Sequence, residues 1–152
     1  MNLREERLQS FLRRSMVVRL ATLSPKEQPH LTPLWFVQDG GRFYMATRAA
    51  SPAARDISAH PDVVLLFHAE RGRRPGQILR IRGTARLRKS LGLRVQLRFA
   101  AKYHLSPGGL RNLLSNLGTL LVRVRYYGER TGEAGTLEVT PERFEFLPRP
   151  HV

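Results

Sequence analysis

Few side chains in this 152-residue sequence have the type and spacing that catalysis needs. Its five histidines show no spacing typical of a metal site: His30, His60, His68, His104 and His151. The three aspartates, at positions 39, 56 and 62, form no paired-carboxylate or Ser-His-Asp pattern. Cysteine is absent, which excludes disulfides, zinc–thiolate sites and thiol catalysis. The residues therefore predict neither hydrolysis nor a metal centre.

One segment has residues that suit anion binding. Ser51 is a good N-cap, and Pro52 suits the first position of a helix, which we expect to end at His60-Pro61. Free N–H groups at the start of that helix would attract an anion, although capping alone also explains the serine. The basic loop around Arg71–Arg74 fits a solvated surface as well as a clamp for an acidic ligand.

Two aromatic residues, Trp35 and Phe36, lie in an apolar run. They would either stack on a bound ring or fill the core, and core packing is the more frequent role of aromatics in a central strand. His68 follows another apolar run, where a structural role is more frequent than a ligating one. These aromatic residues by themselves select no ligand.

The elements that must position these side chains are mostly strands. Gly40 and Gly41 separate the apolar runs Leu31–Val37 and Phe43–Ala46, which predicts a tight β-hairpin. Val17–Leu23 should pair with the first of these runs across a turn at residues 24–28. A three-stranded antiparallel meander therefore precedes residue 50.

The remaining patterns add strands and short helices. Val63–Phe67 is continuously apolar, which predicts a strand buried on both faces, and Leu79–Arg88 alternates around Gly83, which suggests a bend or bulge. Further strands are expected at 120–127, 136–139 and 143–147, and helices at 3–12, 91–102 and 110–117. We predict a single domain over residues 1–152, a mainly β (α+β) split antiparallel barrel of six to seven strands.

Composition bounds the class of protein. With 41% hydrophobic and 25% charged residues, the chain should be a soluble globular protein. No apolar run reaches the roughly 18 residues of a membrane span, and residues 1–15 are charged rather than signal-like. These features predict a cytoplasmic protein with no membrane partner.

The net charge of +14 is the most unusual total, and only three of the 26 basic residues are lysines. Such a charge fits nucleic-acid binding, but it also fits an arginine-rich surface exposed to solvent. The arginines are scattered and form no continuous stripe on a helix. Nucleic-acid binding is therefore kept as the weaker alternative.

Several segments, in this order, resemble the pyridoxamine-phosphate-oxidase-like split β-barrel family, which holds FMN- and deazaflavin-dependent oxidoreductases. The resemblance covers residues 16–88 well, includes the tail 139–146, and is thinner over 89–127. The segments that carry it are Leu20–Leu23, Pro29–Phe36, Asp39–Tyr44, the pattern Thr47-(x)3-Ser51-(x)3-Arg55-Asp56-(x)4-Pro61-Asp62-Val63, and Arg82–Ala85.

This resemblance implies a homodimer with a flavin at each interface site. The flavin ring would run along the backbone of residues 31–35, and the phosphate would bind near the start of the helix after Thr47. The implied cofactor-binding residues are His30, Leu31, Thr32, Pro33, Leu34, Trp35, Thr47, Ser51 and Arg55. No catalytic side chain is implied, because the flavin itself supplies the redox chemistry.

The function that follows is an FMN- or deazaflavin-dependent oxidoreductase that acts by hydride transfer on a small organic substrate. The family's basic residues are replaced here by His30, Trp35 and Pro52-Ala53. That difference motivates the alternative, a non-catalytic or redirected binding protein of the same fold that holds haem, a lipid or no cofactor. Arg48, Arg55 or the Arg71–Arg74 loop would compensate, because guanidinium suits phosphate. The substrate is not readable from the sequence.

Overall fold

The computed structural model of the chain describes residues 3–68, 77–88, 92–104 and 134–147. Six strands and three helices lie in these ranges. The strands are β1 (Val17–Leu23), β2 (Pro29–Asp39), β3 (Arg42–Arg48), β4 (Asp62–His68), β5 (Ile78–Arg88) and β6 (Ala134–Leu147). The helices are α1 (Leu3–Arg14), α2 (Pro52–Ala59) and α3 (Leu93–His104).

The strands form a closed antiparallel barrel in the order β1-β2-β3-β6-β5-β4. The expected meander is confirmed, since β1 pairs with β2 and β2 with β3. Gly40 and Gly41 have φ of 57° and 75°, the left-handed values that a two-residue hairpin turn requires and that glycine adopts without a Cβ clash. The segments 136–139 and 143–147 prove to be parts of one strand, β6.

The bend predicted at Gly83 is also confirmed. The register between β5 and β6 shifts between Arg82 and Gly83. A Cβ built on Gly83 would lie 2.4 Å from the backbone oxygen of Thr140, closer than any real side chain approaches. The absence of a side chain therefore lets the two strands come together at the irregularity.

The core fills the barrel interior and is built from alternate residues of every strand. Three aromatic rings meet at its centre: Phe36 lies 4.8 Å from Phe67 and 6.2 Å from Phe43, and Phe43 lies 5.4 Å from Phe67, between ring centroids. Each such pair contributes about 0.5–1.5 kcal/mol beyond its area burial. The strand β4 is buried on one face only, because Val64 and Leu66 are partly exposed, so the prediction that both faces are buried is wrong.

Helices α1 and α2 lie at opposite ends of the barrel. Helix α1 buries Phe11 and Leu12, and the Phe11 ring meets the edge of Phe146 in β6 at 5.6 Å, so this helix packs against one end of the barrel. Helix α2 buries Ala53, Ala54 and Ile57 at the other end. The predicted helix 110–117, the predicted strand 120–127 and the loop Arg71–Arg74 lie outside the described residues.

Candidate functional site

The outer face of β2 is unusually apolar for an exposed surface. Leu31 and Trp35 are each 56% exposed, although both are large hydrophobic residues. They pair with Ala21 and Val17 of β1, and Ala21 in turn pairs with Val64 of β4. The side chains Leu31, Ala21 and Val64 therefore share one face of three neighbouring strands, which is a surface suited to covering by another molecule.

The opposite face of β2 points to the barrel interior. Thr32 and Leu34 are both partly buried, and Leu34 packs against the hydrophobic core. Pro33 is exposed and lies on the same outer face as Leu31 and Trp35. Among the predicted cofactor residues of β2, the structure thus presents Leu31, Pro33 and Trp35 outward, while Thr32 and Leu34 turn their side chains inward.

The structure also separates the roles of the two neighbouring aromatic residues. Phe36 is buried in the core, as aromatic packing in a central strand predicts, but the core interpretation of Trp35 is wrong. The Trp35 ring stacks on Tyr103 of α3 with a centroid separation of 4.7 Å and an angle of 11° between the planes. Trp35 therefore forms part of an exposed aromatic surface at the junction of β2 and α3.

Tyr103 holds this junction together through its hydroxyl group. The hydroxyl oxygen accepts the N–H of Phe36 at 2.9 Å, and the hydroxyl donates to the backbone oxygen of Met16 at 2.7 Å. The pairing between β1 and β2 ends at Val17 and Trp35, so the tyrosine takes the place of the next strand contact. It satisfies backbone groups where the two strands separate.

Lys102, the residue before Tyr103, is partly buried against the same strand. Its ammonium group lies 3.4 Å from the centroid of the Phe36 ring and donates to the Phe36 backbone oxygen at 3.2 Å. Burial lowers the pKa of Lys102 from 10.5 to about 8, because desolvation disfavours the charged form. Two ion pairs fix the same helix to the end of β2, from Arg94 and Arg98 to Asp39.

The predicted start of α2 is confirmed in detail. Ser51 has extended backbone angles, its side-chain oxygen accepts the N–H of Ala54 at 3.1 Å, and Pro52 occupies the first turn. Thr47 donates its hydroxyl to the Ser51 oxygen at 3.0 Å. Because Ser51 Oγ accepts both bonds, its own hydrogen remains available to donate to an anion at the helix N terminus.

The charges around this helix start come from arginines outside the first turn. Arg55 and Arg48 are both exposed, and the Ser51 N–H bonds to the Arg48 backbone oxygen at 3.0 Å. Ala53, by contrast, is only 2% exposed and belongs to the core. Of the arginines expected to compensate for the basic pair that the resemblance implies, Arg48 and Arg55 thus flank the helix start, and the Arg71–Arg74 loop lies outside the described residues.

A contact that the sequence analysis missed joins β2 to this helix. The Nδ1 atom of His30 lies 2.7 Å from Oδ2 of Asp56, and Thr22 Oγ1 donates to the same oxygen at 2.7 Å. The Asp56 side chain is 3% exposed, whereas that of His30 is 44% exposed. The buried carboxylate therefore orients an accessible imidazole, with Nδ1 directed inward and Nε2 free to face a ligand.

Two signals in the sequence indicate this arrangement in retrospect. The turn at 24–28 places Thr22 opposite His30 in the register of β1 and β2. Asp56 also falls on the buried face of α2 together with Ala53 and Ile57, and a buried carboxylate requires partners. Within the described residues, no group of three or more side chains is placed to hold a metal ion.

The comparisons with known proteins establish the family. The sequence model described as pyridoxamine 5'-phosphate oxidase matches residues 5–147. The chain belongs to the pyridoxamine 5'-phosphate oxidase family. Among curated proteins, none matches the chain.

Solved structures show the same fold at low sequence identity. A conserved hypothetical protein from Mycobacterium tuberculosis is 19% identical over 100% of this chain and 92% of its own, with a TM-score of 0.68. An F420 reductase is 20% identical over 90% and 94%, with a TM-score of 0.62. The haem storage protein HutZ from Vibrio cholerae is 14% identical over 98% and 96%, also with a TM-score of 0.62. At such identities these likenesses show the fold alone.

None of the helices in the described part of the chain is long and apolar enough to cross a membrane.

Proposed function

We propose that this chain is a flavin-dependent oxidoreductase, with FMN as the first choice of cofactor and a deazaflavin as the second. The observation that carries the proposal is the contact from His30 to Asp56, which ties the predicted flavin strand β2 to the helix whose start is the predicted phosphate position. This contact joins the two parts of the expected site. Membership of the pyridoxamine 5'-phosphate oxidase family and the F420 reductase fold neighbour support the same conclusion.

The residues present fit a phosphorylated flavin at the start of α2. The Ser51 hydroxyl, oriented by Thr47, and the positive end of the α2 helix dipole would bind the phosphate, and Arg55 would supply positive charge. His30 would present Nε2 toward the ligand in an orientation fixed by Asp56. The flavin supplies hydride transfer when bound, while the protein supplies position and charge.

A homodimer is part of this proposal. The outer-face side chains Leu31 and Trp35 are 56% exposed, and covering them with a second copy would bury apolar surface that otherwise faces water. The same face carries the strand along which the flavin ring would lie. A second subunit would then enclose the cofactor and exclude water from it.

The second candidate function is binding of haem, lipid or another ligand without flavin chemistry. At the position of Ala53 the family resemblance implies a basic residue that contacts the phosphate. Ala53 is buried and uncharged, so this contact is absent. HutZ, a haem storage protein, has the same fold. This alternative predicts that haem binds more tightly than either flavin.

The nucleic-acid alternative receives less support. Many described arginines are engaged in ion pairs, including Arg42, Arg86 and Arg88 with Glu138, Arg94 and Arg98 with Asp39, and Arg80 with Glu145. The hydrogen bond from Arg80 lowers the pKa of Glu145, as expected for a carboxylate in such a pair. Nucleic-acid binding would show a steep loss of affinity as the salt concentration rises, whereas the affinity for a pocket ligand would respond weakly.

The cytoplasmic location stays a prediction.

A substitution on the outer face of β2 tests the proposal. Leu31→Glu places a charge where the flavin ring and second subunit would lie, so we expect a monomer in sedimentation velocity and loss of FMN fluorescence quenching. Leu97→Glu is the matched control, because Leu97 is 61% exposed on α3 and is not among the predicted cofactor-binding residues. Flavin binding that survives Leu31→Glu unchanged contradicts the proposed location.

Arg55→Ala tests the charge that compensates for the missing basic pair. Removal of one charge-assisted contact should weaken FMN binding by roughly 10-fold or more. An unchanged FMN affinity in this variant would mean that Arg55 does not contact the phosphate.

A further inference from the structure

A cluster of charged side chains lies on the outer face of β3, β5 and β6. Glu138 is only 2% exposed and is surrounded by three arginines. Its Oε1 lies 2.9 Å from Arg86 Nε and 3.3 Å from Arg42 Nη1, and its Oε2 lies 3.1 Å from Arg88 Nε. Two strands, β3 and β5, thus direct guanidinium groups at one buried carboxylate on β6.

The charges of this cluster do not balance. Glu138 contributes one negative charge against three positive ones, so the four side chains carry an excess of positive charge. Each guanidinium has five N–H donors, and each contact with Glu138 involves one nitrogen of an arginine. Within the described residues, Arg42, Arg86 and Arg88 therefore keep N–H donors that do not contact Glu138 and are available to a further acceptor. Their side chains are about half exposed, at 46%, 60% and 47%.

The cluster borders a cavity of about 200 Å³ that is open to the surface. The cavity is lined by Arg42, Thr84, Ala85, Arg86, Glu138 and Thr140. It is smaller than the about 300–1,000 Å³ typical of pockets for drug-sized ligands, so a small ion fits it better than a cofactor does. The Thr84 hydroxyl donates to Glu142 at 2.6 Å, which leaves its oxygen as an acceptor, whereas Thr140 adds a hydroxyl that can donate to an anion.

We propose that this cavity binds a phosphate-sized oxyanion, either inorganic phosphate or the phosphate group of a small monoester. Glu138 acts as a positioning residue: it holds the three guanidinium groups close together, which their mutual repulsion opposes. The anion binds to the donors that Glu138 leaves unused. Bidentate guanidinium geometry suits phosphate oxygens, and the excess positive charge favours a dianion.

This anion site is separate from the proposed cofactor phosphate position. Glu138 pairs with Tyr44 of β3, whereas Thr47 lies three residues further along the same strand and pairs with Gly135. Side chains three residues apart in a strand point to opposite faces. The proposal is therefore independent of flavin binding, and either of the two can fail without the other.

Isothermal titration calorimetry with inorganic phosphate tests the proposal on the full chain. We expect saturable binding by the wild type and at least tenfold weaker binding by Arg42→Gln and by Arg86→Gln, because each variant loses a charge-assisted donor. Arg82→Gln is the control: it removes the same charge from β5 but lies outside the cavity lining. A parallel titration with phenyl phosphate shows which form of phosphate the site prefers. Tighter binding of phenyl phosphate than of inorganic phosphate identifies a monoester as the ligand.

Two results would overturn the proposal. The first is no saturable phosphate binding by the wild type in the millimolar range. The second is binding that Arg42→Gln and Arg86→Gln leave unchanged while Ser51→Ala abolishes it, because the phosphate would then occupy the start of α2. A measurement that needs no variant is the ¹⁵N spectrum of arginine Nε–H groups: phosphate should shift the signals of the two lining arginines, Arg42 and Arg86, and unmoved signals at saturation would exclude the site.

Discussion

The substitution Ser51→Asp separates the structural role of Ser51 from its proposed role in binding. The Ser51 oxygen accepts the N–H of Ala54, which caps α2, and the proposed function adds a hydrogen bond from the Ser51 hydroxyl to the cofactor phosphate. Aspartate caps a helix as well as serine does, and a negative charge near a helix N terminus is favourable by about 0.3–1 kcal/mol. The folded protein should therefore tolerate Ser51→Asp, whereas a bound phosphate should not.

The expected loss of affinity follows from the contacts involved. A hydrogen bond to a charged group contributes about 1.5–3 kcal/mol, which corresponds to roughly 10- to 150-fold in the dissociation constant. In Ser51→Asp, repulsion adds to that loss, because two unit charges about 4 Å apart near a protein surface interact by roughly 4 kcal/mol. We expect FMN to bind at least about 100-fold more weakly to Ser51→Asp than to the wild type.

Ser51→Ala provides the matched comparison. It removes the cap and should lower the free energy of unfolding by about 1 kcal/mol. It should weaken FMN binding only through the loss of the hydrogen bond to the phosphate. Urea unfolding measures stability, and quenching of FMN fluorescence measures affinity. The reasoning is refuted if Ser51→Asp leaves the FMN dissociation constant unchanged, or if both variants reduce affinity only in proportion to lost stability.

Two further predictions concern the junction of β2 and α3. Tyr103→Phe keeps the aromatic ring but removes the hydroxyl that accepts the Phe36 N–H, so the free energy of unfolding should fall by about 1–2 kcal/mol in urea titrations; an unchanged midpoint would contradict this. Burial lowers the pKa of Lys102 to about 8, so between pH 8 and 10.5 the unfolded chain binds more protons than the folded one and stability should rise with pH. Lys102→Met should lose that rise, and an identical pH profile in wild type and variant would refute the assignment.

Local features of the fold were predictable because their causes lie within a few residues. The hairpin at Gly40 and Gly41, the cap of α2 at Ser51 and the bend at Gly83 each depend on one residue type with a specific backbone property. Strand alternation around Gly83 then placed β5 in the barrel wall. The architecture follows from these signals together with the family resemblance, and the barrel confirms it.

The contacts between distant residues were not predictable in the same way. Asp56 meets His30 and Thr22 across 26 and 34 residues of sequence, and their approach depends on how α2 packs on the barrel end. The frequent core role of aromatics in central strands favoured the core for Trp35, yet its side chain lies on the exposed outer face of β2, where the ring stacks on Tyr103 of another element. Tertiary packing determines these contacts, and a local sequence pattern does not predict them.

One measurement tests the central claim most directly. The purified protein is incubated with FMN, deazaflavin or haem in turn and passed through a gel-filtration column, and the visible absorption spectrum of the protein peak is recorded. The account predicts that a flavin or deazaflavin band elutes with the protein and that Ser51→Asp abolishes it. A protein that retains haem alone would contradict the oxidoreductase proposal and favour the second candidate. A colourless protein with all three would show that Ser51, Thr47 and Arg55 do not replace the missing basic contacts.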